Sequence, residues 1–172
     1  DPFFYPSVSA SWLVTETFPV LKGTVLEFLK LRGGWAQIGA ATSAYQTDRY
    51  YTSVGYSIHG AGQFYNPTTY PPPGLRPESV ETAEIGLEAR FFNNRLGLDV
   101  ALYNKNTTDQ ILSAEVSRAT GYSSMKINAG EINNKGIEIQ LTATPVQTKD
   151  FNWDITVNWA KDQSKILALY KD

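Results

Sequence analysis

Four stretches of the chain alternate between apolar residues and polar or small ones, and residues 82–92 show the pattern most clearly. Side chains point to opposite faces along a β-strand, so each stretch predicts a strand with one apolar and one polar face. Two stretches near the start of the chain alternate less regularly and add two more strands. We therefore expect an all-β fold, an antiparallel up-and-down meander of about six long strands. The expected strands are at residues 5–13, 29–39, 80–92, 95–106, 135–145 and 152–161.

The length of the alternating stretches indicates the medium that surrounds them. Strands in soluble domains average about 5–6 residues, whereas a tilted strand that crosses a bilayer needs about 9–11. Because the stretches run for about ten residues each, they predict the wall of an outer-membrane barrel. The apolar residues expected to face lipid are Ile85, Leu87, Leu98, Val100, Ile139, Leu141, Ile155 and Val157.

Two tight hairpins are predicted between neighbouring strands. Asn93 and Asn94 follow one strand and precede the next, and asparagine tolerates the positive φ that a two-residue type I′ turn requires. A turn there places Leu87 opposite Val100. A second hairpin is expected around 146–150. In both hairpins a shift of one residue would put polar groups on the apolar face, so the pattern fixes the register.

The other connections are long, at 40–79 and 106–134, and show no clear periodicity. Short turns alternating with long loops are typical of outer-membrane barrels, whose long loops lie outside the cell. The first long loop is rich in tyrosine, glycine, proline and threonine, which is common material for a binding surface. Its candidate substrate contacts are Tyr50, Tyr51, Tyr56 and Tyr65.

Composition excludes several classes of function. The chain has no cysteine and one histidine, which excludes disulfides, thiolate metal sites and a multi-histidine metal centre. A net charge of −2 and a pI near 5.4 give no basic field for nucleic acid. The mean hydropathy of −0.29 disfavours a helical membrane protein but not a barrel, whose strands are half polar. The four tryptophans suit the aromatic girdles of a barrel: Trp12, Trp35, Trp153 and Trp159.

Several sequence elements resemble the signature of TonB-dependent outer-membrane transporters. Leu75-Arg76-Pro77-Glu78 leads into Glu84-Ile85-Gly86-Leu87-Glu88, similar to the pattern L-x-P-E followed by E-x-G-(L/I)-(D/E). Residues 127–138 resemble the element N-x-G-x-(I/V)-x-N-x-G-(I/V/L)-E, in wording most like the SusC/RagA-type branch of Bacteroidota. Residues 4–12 and 29–39 are similar to the same branch. The resemblance therefore extends along nearly the whole chain, and the combined motifs are specific.

The resemblance implies a partial barrel domain over residues 1–172, from the C-terminal half of a barrel of about 22 strands. No plug domain is recognised in this stretch. The implied function is active import of a nutrient, with oligosaccharides as the first expectation and peptides as the second. The implied partners are a SusD-like surface lipoprotein, TonB through the N-terminal region outside this stretch, the lipid and the substrate. The implied location is the outer membrane of a Gram-negative bacterium, and neither enzyme activity nor a cofactor is expected.

The polar face of the strands is expected to line the lumen or to hold the plug. Its candidate residues are Glu84, Glu88, Arg90, Asp99, Glu138, Gln140 and Thr142. In the predicted register Glu88 lies opposite Asp99, about 5 Å apart at Cβ, which is a spacing compatible with a glycosidase carboxylate pair. Without a closed pocket or a sugar-stacking platform, this pair is better explained as part of a wet lumen.

A soluble fold is the alternative. A soluble sheet with one solvated face also alternates, so a carbohydrate-binding module using the tyrosines of residues 40–79 is the second hypothesis. The two hypotheses differ in what covers the apolar face, which is lipid in the barrel and a shared core in the module.

Overall fold

A computed structural model describes residues 4–23, 25–41, 47–48 and 50–169, and only the backbone at 56–58. Eleven strands are present in the described part of the chain. Their bounds are β1 Ser7–Leu13, β2 Leu26–Ala40, β3 Thr52–Ile58, β4 Ala61–Tyr65, β5 Thr69–Tyr70, β6 Glu78–Phe91, β7 Leu96–Thr108, β8 Ile111–Glu115, β9 Ser124–Asn128, β10 Glu131–Gln147 and β11 Asn152–Ala168. One α-helical turn, α1 (Val14–Thr17), and two 3₁₀ turns, Pro19–Leu21 and Arg118–Thr120, complete the described elements.

Six long strands form one antiparallel sheet in the order β1-β2-β6-β7-β10-β11. Each strand lies beside the preceding long strand of the chain, which is the predicted up-and-down meander. In the first pair, Val8 lies opposite Trp35 and Trp12 lies opposite Leu31. Among the described residues β1 and β11 are edge strands, so the sheet is an unclosed segment of a barrel and the predicted fold class is confirmed.

The hairpin between β6 and β7 turns at the predicted asparagines. Asn93 and Asn94 have φ values of 56° and 59°, as a type I′ turn requires. The Arg95 N–H donates to the Phe92 carbonyl at 3.2 Å and closes the turn. Phe92 itself has φ 55°, and its N–H donates to the Val25 carbonyl at 2.9 Å. That bond attaches the turn to the segment that precedes β2.

Five of the six long strands extend beyond their predicted bounds at one or both ends, whereas β1 begins at Ser7 rather than residue 5. β2 begins at Leu26 rather than residue 29, β10 begins at Glu131 rather than residue 135, and β11 ends at Ala168 rather than residue 161. Backbone ladders need only main-chain partners, so pairing continues where the apolar face gives way to polar side chains. The hydrophobic pattern therefore marks the apolar band and not the full strand.

The two long connections contain strands of their own, which corrects the prediction of unpatterned loops. β3 and β4 form a hairpin around His59 and Gly60, with φ values of 51° and 81°. β5, β9 and β8 form a three-stranded sheet, in which β5 pairs with β9 in parallel and β8 pairs with β9 antiparallel. These strands have at most seven residues, so any alternation in them, such as Val54, Tyr56 and Ile58 in β3, is shorter than the stretches of about ten residues that predict the long strands.

Contacts divide the chain into two compact units. The first holds residues 1–38, 80–106 and 133–165, and the second holds residues 39–79, 107–132 and 166–172. The apolar side chains of the first unit do not converge on a core. Val8, Ile85 and Val157 are 65%, 63% and 52% exposed. The apolar face of the long sheet is therefore open, which the soluble alternative does not predict.

Candidate functional site

The most organised part of the polar face is an arginine that crosses a neighbouring strand. Arg32 of β2 donates from its two terminal nitrogens to the two carboxylate oxygens of Asp99 on β7, at 2.9 and 2.8 Å. β6 lies between these two strands, and the arginine passes over Gly86. A Cβ at Gly86 would lie 2.6 Å from the arginine Nε, so only glycine leaves room for this crossing.

Further charges surround this crossing. Glu84 lies 3.7 Å from the Arg32 Nε. Glu88 accepts a hydrogen bond from Arg90 at 2.9 Å and lies 4.0 Å from Lys30. Both signs of charge therefore alternate over this part of the sheet.

The charge pairing argues against the glycosidase-like interpretation of Glu88 and Asp99. Asp99 is bound by Arg32 at both oxygens, and Glu88 is bound by Arg90. Arg32, Lys30 and Arg90 supply the basic partners from within the sheet. Gly33 and Gly34 interrupt the alternation beside Arg32, so the sequence alone does not assign Arg32 this role. The available sequence signal is Gly86, which leaves a gap on the polar face of β6 between Glu84 and Glu88.

A second crossing follows on β10. The Tyr103 ring of β7 lies over Gly136 of β10, and its hydroxyl donates to Asp162 of β11 at 2.9 Å. A Cβ at Gly136 would lie 2.6 Å from the tyrosine ring. Arg32 thus links β2 to β7 across β6, and Tyr103 links β7 to β11 across β10. In both cases a long side chain passes over a glycine of the middle strand.

Shorter polar pairs continue along β10 and β11. Gln140 donates to Asn158 at 3.0 Å, and Thr144 donates to Asp154 at 2.7 Å. The Thr142 hydroxyl occupies the space that a Cβ at Gly97 would need. Glu138 is exposed. The structure thus gathers Glu84, Glu88, Arg90 and Asp99 into one charged cluster and places the other three candidates on β10; their exposure to a lumen stays a prediction.

The second unit contains a cleft of about 430 Å³ that holds two of the predicted tyrosines. Tyr50 and Tyr65 line it together with Asp48, Lys126 and hydroxyl-bearing threonines. Tyr51 is exposed but is not part of the lining, and the side chain of Tyr56 lies outside the described part of the structure. Lys126 comes from β9 of the other long connection, a contribution that the sequence alone does not indicate.

The apolar residues expected to meet lipid lie on the four predicted strands. Ile85, Leu141 and Val157 are exposed, and the other five are partly exposed. Two of the girdle tryptophans have polar partners: the Trp12 indole N–H donates to Thr17 at 2.7 Å, and that of Trp35 donates to Glu81 at 2.7 Å. Contact of this face with lipid stays a prediction.

Among the described residues no group of histidine, aspartate and glutamate side chains is arranged to hold a metal ion. In the same part of the chain, none of the helices has the length and hydropathy of a membrane span.

The chain belongs to the TonB dependent receptor-like, beta-barrel family, whose model matches residues 1–169. The long antiparallel strands and the open sheet agree with this membership.

Curated relatives support the predicted branch. The chain is 32% identical over 168 residues to TonB-dependent receptor P26 of Formosa agariphila, matching 96% of this chain and 17% of that protein. It is 30% identical over 173 residues to TonB-dependent receptor SusC of Bacteroides thetaiotaomicron, again matching 96% and 17%. The chain thus spans about a sixth of the length of these relatives, since it matches 17% of each.

Solved structures also resemble this chain. The structure of the RagAB peptide transporter superposes with a TM-score of 0.85 and 25% identity, over 96% of this chain and 18% of that chain. The siderophore receptor PirA from Pseudomonas aeruginosa matches with a TM-score of 0.57 and 17% identity over 94% of this chain and 30% of that chain, which shows the fold alone. The predicted resemblance to the SusC/RagA type is confirmed.

Proposed function

We propose that this chain forms part of the wall and of the long connections of an outer-membrane importer that takes up oligosaccharides or peptides. One observation carries the proposal. The strands β7 and β10 have 13 and 17 residues, long enough to cross a bilayer at a tilt, and their apolar side chains are open on one face while charges pair on the other.

In this proposal the two faces have separate roles. The apolar face anchors in lipid, where burying each large apolar side chain contributes about 1.5–3 kcal/mol. The polar face lines the lumen or holds a plug domain, through Glu84, Glu88, Arg90, Asp99, Glu138, Gln140 and Thr142. Its paired charges support this role, because water or a polar partner solvates them better than hydrocarbon does.

The cleft of the second unit is the proposed substrate contact. Tyr50 and Tyr65 offer aromatic faces against which sugar rings or apolar peptide side chains can pack. Asp48 and Lys126 offer both signs of charge, which suit the termini and side chains of a peptide, and the threonine hydroxyls suit either substrate. The likeness to a peptide transporter and to SusC keeps both substrate classes in the proposal.

The proposed partners follow from the same relatives. TonB acts on the N-terminal region of the full-length protein and draws on the inner-membrane proton gradient. A SusD-like surface lipoprotein covers the long connections and delivers substrate. The likeness to RagAB and SusC supports both partners.

Uptake by whole cells tests the proposal. A strain without the endogenous copy would express the full-length protein, and entry of labelled oligosaccharides and of labelled peptides would be followed with and without a protonophore. We expect uptake of one class, its loss with the protonophore, and about a tenfold reduction in Tyr50→Ala/Tyr65→Ala because both rings of the cleft are removed.

Phe64→Ala is the matched control. Phe64 is an aromatic residue of β4 that is 66% exposed and does not line the cleft, so its loss should leave uptake unchanged. Uptake that persists with the protonophore would contradict active import. An equal reduction in the control would contradict the assignment of the cleft.

A further inference from the structure

The apolar face of β7, β10 and β11 becomes polar where the band of apolar side chains ends. On β7 this face presents Leu102 and then, two residues later, Asn104. On the antiparallel strand β10 it presents Ile137 and, two residues earlier, Lys135. Asn133 donates to Asn104 at 2.7 Å, which shows that these amides lie on the same side of the sheet. The opposite side carries the Tyr103–Asp162 bond, so the two faces stay distinct here.

A groove of about 660 Å³ lies at this boundary within the first unit. Its apolar wall includes Ala83, Ile85, Leu102 and Ile137. Lys135 and Lys161 line the same groove beyond the apolar wall, together with three amide side chains.

The two lysines differ from the basic residues on the other face. Lys30, Arg32 and Arg90 all have carboxylate partners. Lys135 and Lys161 are exposed and have no hydrogen-bond or ion-pair partner within the described part of the chain. Glu84 is the acidic residue of the groove lining, but its carboxylate lies 3.7 Å from Arg32 on the polar face. The groove therefore presents two uncompensated positive charges beside an apolar wall.

We propose that this groove binds the phosphate-bearing headgroup of an acidic lipid, with the acyl chains along the apolar wall and the phosphate between Lys135 and Lys161. This inference rests on the proposed membrane location of the apolar face. Lysine binds phosphate as a point charge, and its aliphatic stem packs along apolar surface while the ammonium reaches the interface. The amides of Asn104, Asn133 and Gln163 supply donors for the remaining headgroup oxygens.

Lipid titration of the full-length protein tests the inference. The purified protein in neutral detergent would be titrated with phosphatidylglycerol and, separately, with phosphatidylcholine, and bound lipid would be counted by native mass spectrometry. Wild type should retain phosphatidylglycerol in preference to phosphatidylcholine. Lys135→Gln/Lys161→Gln should weaken phosphatidylglycerol binding by about 25-fold, since each lysine at a charged lipid surface contributes about fivefold. Lys135→Arg/Lys161→Arg should bind as wild type does, because charge is retained.

Lys105→Gln is the matched control, because Lys105 is an exposed lysine of β7 on the opposite face. It should bind lipid as wild type does. Equal binding of the two lipids by wild type, an equal loss in the control, or inorganic phosphate binding as tightly as the lipid would overturn the inference. The membrane proposal fails separately, if the wild-type protein stays monodisperse without detergent.

Discussion

Arg32 shows how one residue organises several strands. Its guanidinium makes two parallel hydrogen bonds to Asp99, a geometry that lysine cannot reproduce. The pair is only partly shielded, with Arg32 31% and Asp99 33% exposed, so water screens part of the attraction. Its contribution to stability should therefore be moderate, and its main effect is to hold β2 and β7 in register across β6.

Substitution of Arg32 tests this role. Arg32→Ala should lower the free energy of unfolding of the full-length protein by about 1–2 kcal/mol, because the charge-assisted bonds to Asp99 are lost at a partly exposed site. Gly86→Ala should cost a similar amount, because its Cβ would occupy the path of the arginine. The measurement is urea unfolding of the protein reconstituted in lipid.

A double-mutant cycle separates the crossing from other effects. In an Arg32→Ala background, Gly86→Ala should cost almost nothing, since the side chain it obstructs is absent. Gly34→Ala is the control: a Cβ there would meet the nearest atoms at 3.7 Å, an ordinary contact. Additive costs of Arg32→Ala and Gly86→Ala would show that the glycine matters for some other reason.

At the scale of the element, each long strand has one apolar and one polar face, which the proposal assigns to lipid and to water. Leu87 and Ile139 belong to the apolar face, whereas Gln140 donates to Asn158 on the polar face. A charge should therefore destabilise the protein much more at one position of a strand than at the next.

Arginine substitution tests the two faces. Leu87→Arg or Ile139→Arg should destabilise the reconstituted protein by about 2–4 kcal/mol if these residues lie near the bilayer midplane. Gln140→Arg should cost far less, because its side chain meets water or a polar partner. The measurement is the unfolding free energy in lipid, with folding yield as a second readout. Equal costs at Ile139 and Gln140 would contradict the assignment of faces.

The sequence predicts some elements better than others for physical reasons. The hairpin at Asn93 and Asn94 was predictable because the asparagine pair favours a tight turn and the alternating stretches on both sides of it place the turn at the same residues. The hairpin of β3 and β4 was not predicted, because its strands have seven and five residues and their alternation is correspondingly short. The bond of Arg32 to Asp99 was not predicted, because it depends on a glycine of an intervening strand. Lys126 joined the tyrosine cleft only through pairing between distant parts of the chain.

At the scale of the whole molecule, the long sheet is an unclosed segment of a barrel. The six-stranded sheet leaves β1 and β11 as edges within the described residues, and both expose backbone groups that pair readily with another strand. Family members match this chain over 17% of their length, so neighbouring strands of the full-length protein would satisfy those edges. The account therefore requires that the apolar face meet lipid and the polar face meet water in the full-length protein.

Spin labels along β11 test this requirement most directly. Single cysteines would be placed at positions 154–159 in a cysteine-free background of the full-length protein, labelled, and reconstituted in lipid. Collision with oxygen, which concentrates in lipid, and with a water-soluble nickel complex would then be measured at each position. We predict a period of two, with oxygen contact highest at Ile155, Val157 and Trp159 and nickel contact highest at Asp154, Thr156 and Asn158. Uniform values along the strand, or the reverse phase, would contradict the account.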